Sequence, residues 1–144
     1  MDKPAGTPEP GPEPGPHPRQ RRILLADDNV DFAQCVALLL EANGYEVEVH
    51  HGGEQALARA SAFAPDVCLL DISLPGLNGF ELARRLRVLP ATEAAVLVAV
   101  TGWGQPEDRM RSRNAGFHHH QTKPINFDQL IALLDSIYGA SAPP

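Results

Sequence analysis

After its first 20 residues, the sequence repeats one pattern five times: a short run of residues followed by a stretch with helical periodicity. The residues of each short run are either mostly apolar or alternately apolar and polar. Residues 23–26, 67–71 and 96–100 are almost wholly apolar, which is typical of strands covered on both faces. Residues 45–50 and 117–121 alternate with polar side chains, as strands at the edge of a sheet do. Repeated strand–helix units predict parallel strands joined by right-handed crossovers, with helices on both faces.

The polarity of the five runs also predicts the order of the strands. The three apolar strands belong in the centre and the two alternating strands at the edges. A flavodoxin-like, doubly wound, five-stranded parallel α/β sheet of order 2-1-3-4-5 satisfies both conditions. The turn after the first strand is Asp27, Asp28 and Asn29. It has no glycine, so it does not match the glycine-rich turn of dinucleotide-binding folds.

The helical stretches predict further details. Helices are expected at about residues 54–61, 79–88 and 105–115, and a last helix is expected to end near Tyr138. The first helix, which precedes these, is expected to bury one apolar face made of Phe32, Cys35, Val36, Leu39 and Leu40. Both cysteines of the chain, Cys35 and Cys68, are therefore expected to be buried in a reducing compartment.

Composition sets the domain boundaries and excludes several classes of protein. Seven of the 14 prolines fall in residues 1–20, which predicts a disordered tail; residues 21–140 then form one domain, and 141–144 a short tail. The net charge of −6 argues against direct nucleic-acid binding. No apolar run approaches the roughly 20 residues of a membrane span, so we expect no membrane insertion and a cytoplasmic location.

Chemically reactive side chains follow the predicted strands at the ends where sites form in open α/β sheets. Asp27 and Asp28 follow the first strand, Asp71 ends the third, Thr101 ends the fourth, and Lys123 closely follows the fifth. Three carboxylates in one cleft repel one another, which shared protons or a divalent cation would relieve. Oxygen ligands suit Mg²⁺, and a hydroxyl with an ammonium suits an anion bound beside it. This combination describes phosphoryl chemistry.

Four stretches of the sequence carry a family resemblance: residues 23–29, 66–79, 98–102 and 122–124. In this order they resemble the signature stretches of response-regulator receiver domains, and the resemblance covers about residues 21–140. Any one of them alone would be a weak signal, but four at matching strand ends make a strong one.

The resemblance implies a role for each carboxylate. Asp71 would be the phosphoacceptor that forms an aspartyl phosphate. Asp28 would bind Mg²⁺ directly, Asp27 directly or through a water, and Asp71 would share the ion. Ser73 would offer its backbone carbonyl to the metal. Without the resemblance, Asp71 could be turn chemistry and Asp28 a helix cap.

The resemblance also implies how the phosphoryl group is held and sensed. Thr101 would hydrogen-bond one phosphoryl oxygen, Lys123 would pair with another, and the Lys123–Pro124 bond would be cis. His120 stands where the family usually has a Tyr or Phe switch residue, so we hypothesise a similar role with added pH sensitivity. The run His118–His120 predicts no metal site, because successive strand side chains point to opposite faces.

The implied function is a phosphoryl-accepting response regulator of a two-component phosphorelay. The donor would be a phosphohistidine on a sensor histidine kinase or a histidine phosphotransfer protein. Phosphorylation would switch a partner-binding surface around helix 4, strand 5 and helix 5, and the chain would not be a turnover enzyme. Two alternatives remain: a phosphate-independent interaction module, and a phosphatase of the haloacid-dehalogenase kind. The phosphatase class needs a second aspartate where this chain has Ser73.

Overall fold

The computed structural model describes residues 21–102 and 108–141 of the chain. Five strands and five helices alternate along these residues. The elements are β1 (Arg21–Ala26), α1 (Val30–Ala42), β2 (Tyr45–His50), α2 (Gly53–Phe63), β3 (Val67–Asp71), α3 (Gly79–Arg87), β4 (Val96–Thr101), α4 (Asp108–Ala115), β5 (His119–Thr122) and α5 (Phe127–Ser141).

The five strands form one parallel sheet of order β2-β1-β3-β4-β5, which confirms the predicted flavodoxin-like topology. The register pairs Ala26 with Leu70, Asp71 with Val100, and Thr101 with Thr122. The carboxyl ends of β1, β3, β4 and β5 therefore lie side by side at one edge of the sheet.

Two apolar layers cover the sheet, and the three central strands contribute alternate side chains to each of them. Leu24 and Cys68 belong to one layer, which includes residues of α2 and α3. Leu25 and Leu69 belong to the other, which is completed by α1 and α5. The three central strands are buried on both faces, as their unbroken apolar runs predict. Among the described helices, none has the length and apolar character needed to span a membrane.

Asparagine side chains cap three helices at the carboxyl edge of the sheet. The Oδ1 atoms of Asn29, Asn78 and Asn126 each accept a hydrogen bond of 3.0 Å from a backbone N–H three residues further on. Each cap satisfies one N–H group that the first turn of a helix leaves without a partner. The caps fix where α1, α3 and α5 begin, and hence the loops that join these helices to the strands.

The buried face of α1 differs from the prediction. Ala33, Val36, Ala37 and Leu40 face the sheet, whereas Cys35 is exposed, Leu39 is 40% exposed and Phe32 is half-buried. The prediction chose the largest side chains, whereas the buried face of the helix also includes two alanines. The expectation that both cysteines are buried is correct for Cys68 and wrong for Cys35.

Several predicted boundaries also shift. The helix α5 continues through Gly139 to Ser141 instead of ending near Tyr138, because an exposed glycine weakens a helix without stopping it. Strand β5 begins at His119, since Phe117 turns into the core. The predicted tail at residues 1–20, the start of α4 before residue 108, and residues 142–144 lie outside the described residues.

Candidate functional site

Four side chains that the sequence singled out meet at the carboxyl edge of the sheet. Asp27 follows β1, Asp71 ends β3, Thr101 ends β4, and Lys123 follows β5. The relative exposure of Asp27, Asp71 and Thr101 is only 1%, 3% and 2%. Lys123 retains 27% of its side-chain exposure, so the cleft opens to solvent on its side.

Three carboxylates form a cluster with the spacing of a metal site. One oxygen from each of Asp27, Asp28 and Asp71 lies within 4.8 Å of the others. Asp28 is exposed, whereas the other two are buried. Hard oxygen ligands at this spacing, with one side open to water, fit Mg²⁺, which usually keeps several waters.

Asp27 is held by contacts to both of its carboxylate oxygens. Its Oδ1 accepts a hydrogen bond of 2.9 Å from the backbone N–H of Asn29, and its Oδ2 lies 2.9 Å from Nζ of Lys123. This second contact is an ion pair in which the buried Oδ2 receives no aligned hydrogen bond from the described residues. Burial raises the pKa of Asp27, and the contacts with Lys123 and Asn29 oppose that rise. An oxygen buried in this way is a suitable ligand for a cation.

The two oxygens of Asp71 have different surroundings. Oδ1 accepts hydrogen bonds from the backbone N–H of Ser73 at 2.9 Å and from its hydroxyl at 2.8 Å. Oδ2 lies 3.5 Å from Nζ of Lys123. Oδ1 is therefore held by the turn that follows β3, and Oδ2 faces the ammonium of Lys123. The sequence led us to consider only the backbone carbonyl of Ser73, whereas the structure also shows its hydroxyl contacting Asp71.

Lys123 connects the two buried carboxylates. Its ammonium also lies 4.6 Å from the centroid of the Phe32 ring, a cation–π contact with α1. Burial alone would lower the pKa of Lys123, but its contacts with Asp27 and Asp71 raise it. The Lys123–Pro124 peptide bond is cis, the isomer that the resemblance implies.

Thr101 contacts His120 on the neighbouring strand. Thr101 Oγ1 and His120 Nε2 are 3.0 Å apart, so the two residues that the sequence proposed as switch residues share a hydrogen bond. The other histidines of the run do not converge with His120: the side chain of His118 accepts a hydrogen bond from Leu97 N–H through Nδ1. His119 is exposed.

Sequence reasoning missed His51 as a neighbour of the cluster. Its Nδ1 lies 2.9 Å from the backbone carbonyl oxygen of Asp27, so its N–H donates to that oxygen. His51 directly follows β2, so its position after a parallel strand was the available signal. That signal was weak, because β2 is an edge strand and the other site residues follow the four strands beside it.

An apolar groove of about 570 Å³ opens beside the cluster, between α1 and the start of α5. It is lined by Phe32, Cys35, Val36, Leu39, Lys123, Pro124, Ile125 and Phe127. The exposed side of α1 that the prediction placed in the core thus forms one wall of this groove. The ammonium of Lys123 stands where the groove meets the acidic cluster.

Comparison with known proteins identifies this arrangement. The model of the family "Response regulator receiver domain" matches residues 23–135. Protein PilH of Pseudomonas aeruginosa is 32% identical over 81% of the chain and 96% of its own length. The phosphate regulon transcriptional regulatory protein PhoB of Rhizobium meliloti is 31% identical over 85% of the chain. The chain spans 54% of that PhoB, and similarly about half of several other curated regulators that it matches.

Solved structures agree in fold. A response regulator from Chloroflexus aurantiacus superposes with a TM-score of 0.79 at 28% identity, over 84% of this chain and 99% of that one. The receiver domain of sensor histidine kinase PA1611 from Pseudomonas aeruginosa superposes with a TM-score of 0.77 at 27% identity. That comparison covers 84% of this chain and 99% of the other, whose active-site cleft coordinates a magnesium ion. From its sequence, its sheet and the residues at the sheet's carboxyl edge, the chain belongs to the response-regulator receiver domain family.

Proposed function

We propose that this chain accepts a phosphoryl group on Asp71 from a phosphohistidine, as the receiver of a two-component phosphorelay. One observation carries the proposal: the buried Asp71 carboxylate lies both in a three-carboxylate cluster and 3.5 Å from the Lys123 ammonium. In the reaction a carboxylate oxygen attacks phosphorus, the P–N bond breaks, and the imidazole leaves with the electron pair. The product is an acyl phosphate on Asp71.

Asp27, Asp28 and Asp71, with the backbone carbonyl of Ser73, would hold Mg²⁺. When bound, the ion would neutralise charge on the transferring oxygens. It would also offset the mutual repulsion of the three carboxylates, which otherwise opposes the approach of an anionic donor.

The remaining groups act on the transferring phosphoryl group. The ammonium of Lys123 faces Oδ2 of Asp71 and pairs with one phosphoryl oxygen. The hydroxyl of Thr101, at the end of the adjacent strand, donates a hydrogen bond to another. The bonds from Ser73 to Oδ1 hold the Asp71 carboxylate in one orientation, so Oδ2 serves as the attacking atom.

The apolar groove between α1 and α5 supports a protein donor. It lies directly beside Lys123, so a helix that docks there would present its phosphohistidine to the cluster. Phe32 and Leu39 provide partly exposed apolar surface for such a contact. We assign this role to a sensor histidine kinase or a histidine phosphotransfer protein in the cytoplasm.

The output side of the proposal is a protein-binding surface formed by α4, β5 and α5. Met110 of α4 is 70% exposed, and the side chains of β5 are half-buried or exposed. Phosphorylation would shift the population between two arrangements of this surface. The partner is a protein, nucleic acid is not bound directly, and the chain turns over no metabolite as an enzyme.

Intact mass spectrometry tests the proposal. The full chain is incubated with Mg²⁺ and a small acyl-phosphate donor, beside Asp71→Asn and a matched control, Asp31→Asn, which removes an exposed carboxylate in the first turn of α1. We expect one added phosphoryl group on the wild type and on Asp31→Asn, none on Asp71→Asn, and none with a chelator. If the small donor leaves the wild type unmodified, a phosphorylated histidine kinase is tried as the donor. If the wild type stays unmodified there too, the phosphate-independent interaction module replaces this proposal.

A further inference from the structure

The hydrogen bond between Thr101 and His120 constrains the direction of a single hydrogen atom. Thr101 Oγ1 lies 3.0 Å from His120 Nε2, and the threonine is 2% exposed. A threonine hydroxyl has one hydrogen and two lone pairs. An imidazole nitrogen donates a hydrogen bond when it carries a hydrogen and accepts one when it does not. The contact therefore has two possible polarities.

The two polarities have opposite consequences for the cleft. When Nε2 is bare, the Thr101 hydroxyl donates its hydrogen to His120 and has only lone pairs left for other partners. When Nε2 carries a hydrogen, it donates to Oγ1, and the hydroxyl hydrogen is released to point elsewhere. Phosphoryl oxygens at neutral pH act as acceptors, so only the second arrangement lets Thr101 donate to them.

The geometry points to His120 as a positioning residue that decides whether the Thr101 hydroxyl donates or accepts their shared hydrogen bond. Phosphorylation of Asp71 would then select the form of His120 that carries a hydrogen on Nε2. This inference rests on the proposed function, because a phosphoryl group on Asp71 supplies the competing acceptor. Linkage makes the effect reciprocal: whatever favours hydrogen on Nε2 also favours the phosphorylated state.

The tautomer can be read directly by NMR of the full chain labelled with ¹⁵N-histidine. Spectra are recorded in Mg²⁺, before and after adding beryllofluoride, which imitates a phosphoryl group on a carboxylate. The peaks missing from His120→Gln assign His120. His118, whose Nδ1 accepts from Leu97 N–H, is an internal reference for a ring with bare Nδ1. We expect Nε2 of His120 to carry a hydrogen in the beryllofluoride complex. A bare Nε2 in that complex overturns the inference.

Affinity for beryllofluoride separates positioning from ring packing. His120→Phe keeps a ring without the donor, and we expect about three- to tenfold weaker binding, the worth of one net hydrogen bond. His120→Gln keeps a donor and should stay within about twofold of the wild type. In a Thr101→Val background, both substitutions should have no effect. An effect of His120→Phe that persists in the Thr101→Val background, or that His120→Gln does not rescue, indicates packing alone and contradicts the inference.

The two proposals fail in different ways. If wild type does not bind beryllofluoride with Mg²⁺, or Asp71→Asn binds it equally well, the proposed function fails and the inference falls with it. If wild type binds and Asp71→Asn does not, while Nε2 remains bare, the inference alone is wrong. Thermal unfolding of each variant establishes that it is folded, and the peaks missing from His120→Phe give the same assignment of His120 if His120→Gln is not.

Discussion

The ammonium of Lys123 lies closer to Asp27, at 2.9 Å, than to the proposed phosphoacceptor Asp71, at 3.5 Å. Asp27 is 1% exposed, so this contact compensates a carboxylate that has lost nearly all of its water. The lysine thus offsets the charge of a carboxylate that also belongs to the candidate metal cluster. The lysine ammonium and a bound divalent cation would therefore act on the same carboxylates. We expect the effect of each on stability to depend on the presence of the other.

Replacing Lys123 with Met should destabilise the protein most when no metal is present. The substitution leaves Asp27 buried without its counter-charge, and we expect a loss of about 1–3 kcal/mol in the free energy of unfolding. Mg²⁺ should recover much of that loss, so the stabilisation by Mg²⁺ should be larger in Lys123→Met than in wild type. Urea denaturation with a chelator and with Mg²⁺ measures both quantities. Equal stabilisation by Mg²⁺ in the two proteins would show that the lysine and the metal site are independent.

Replacing Asp27 with Asn should have the opposite effect in metal-free protein. Burial raises the pKa of Asp27 above its ordinary value, so its charged form opposes folding at pH values above that pKa. The neutral amide removes that cost, and the melting temperature at pH 7 should rise in the presence of a chelator. The gain should shrink as the pH falls through the pKa of Asp27, because the wild-type carboxyl then becomes neutral too.

The same variant separates stability from metal binding. Mg²⁺ should raise the melting temperature of wild type but have little effect on Asp27→Asn, which lacks one charged ligand. The double variant Asp27→Asn/Lys123→Met should be more stable than Lys123→Met alone, since the uncompensated charge is gone. A metal-free Asp27→Asn protein that melts below wild type at pH 7 would mean that the ion pair outweighs the cost of burial.

The sheet could be predicted because its polarity pattern is carried by residues close in sequence. Runs such as residues 67–71 and 96–100 are apolar on both faces, which permits only a central place in the sheet. The face of α1 could not be derived in this way. Ala33 and Ala37 contribute little to an apolar stripe on a sequence plot, yet both are buried in the folded domain.

The site was predictable to the level of which residues meet, but not which atoms touch. Parallel strands place Asp27, Asp71, Thr101 and Lys123 at one edge whatever their rotamers. Whether Lys123 lies nearer to Asp27 or Asp71 depends on side-chain torsions that packing decides. The hydroxyl contact of Ser73 has the same origin.

Gly79 fixes the distance between the start of α3 and the end of β3. A Cβ at this position would lie 2.5 Å from the Asp71 carbonyl oxygen and 2.5 Å from Ile72 Cα. Both are backbone atoms, so the β3–α3 connection must move to accommodate Gly79→Ala. We expect a loss of about 1–3 kcal/mol in the free energy of unfolding and slower phosphorylation of Asp71.

Gly139→Ala is the matched control for that substitution. Gly139 lies in α5 with nothing within 4 Å of an added Cβ, so alanine should stabilise the helix by about 0.5–1 kcal/mol. Its phosphorylation rate should equal that of wild type. If Gly79→Ala is as stable and as reactive as Gly139→Ala, the close approach of α3 to β3 does not control the geometry of Asp71.

Glu48 on β2 should make the stability of the domain depend on acidic pH. Hydrogen bonds from Arg59, with a further contact from His50, lower the pKa of Glu48 from 4.5 to about 2. A carboxylate with a lowered pKa stabilises the folded protein above its unfolded pKa and loses that contribution as the pH falls through its folded pKa. Glu48→Gln should therefore cost about 0.5–1 kcal/mol at pH 7, a value reduced by solvent screening of this surface pair.

The difference between wild type and Glu48→Gln should disappear between about pH 4.5 and about pH 2. Urea denaturation at a series of pH values across this window measures it. Arg59→Met removes the main partner and should weaken the pH dependence of the wild type in the same window, and adding Glu48→Gln to it should change little further. Because the pair is exposed, molar salt should reduce the effect of either substitution at pH 7. A pH profile for Glu48→Gln that runs parallel to wild type would contradict the assignment of this stabilisation to the Glu48–Arg59 pair.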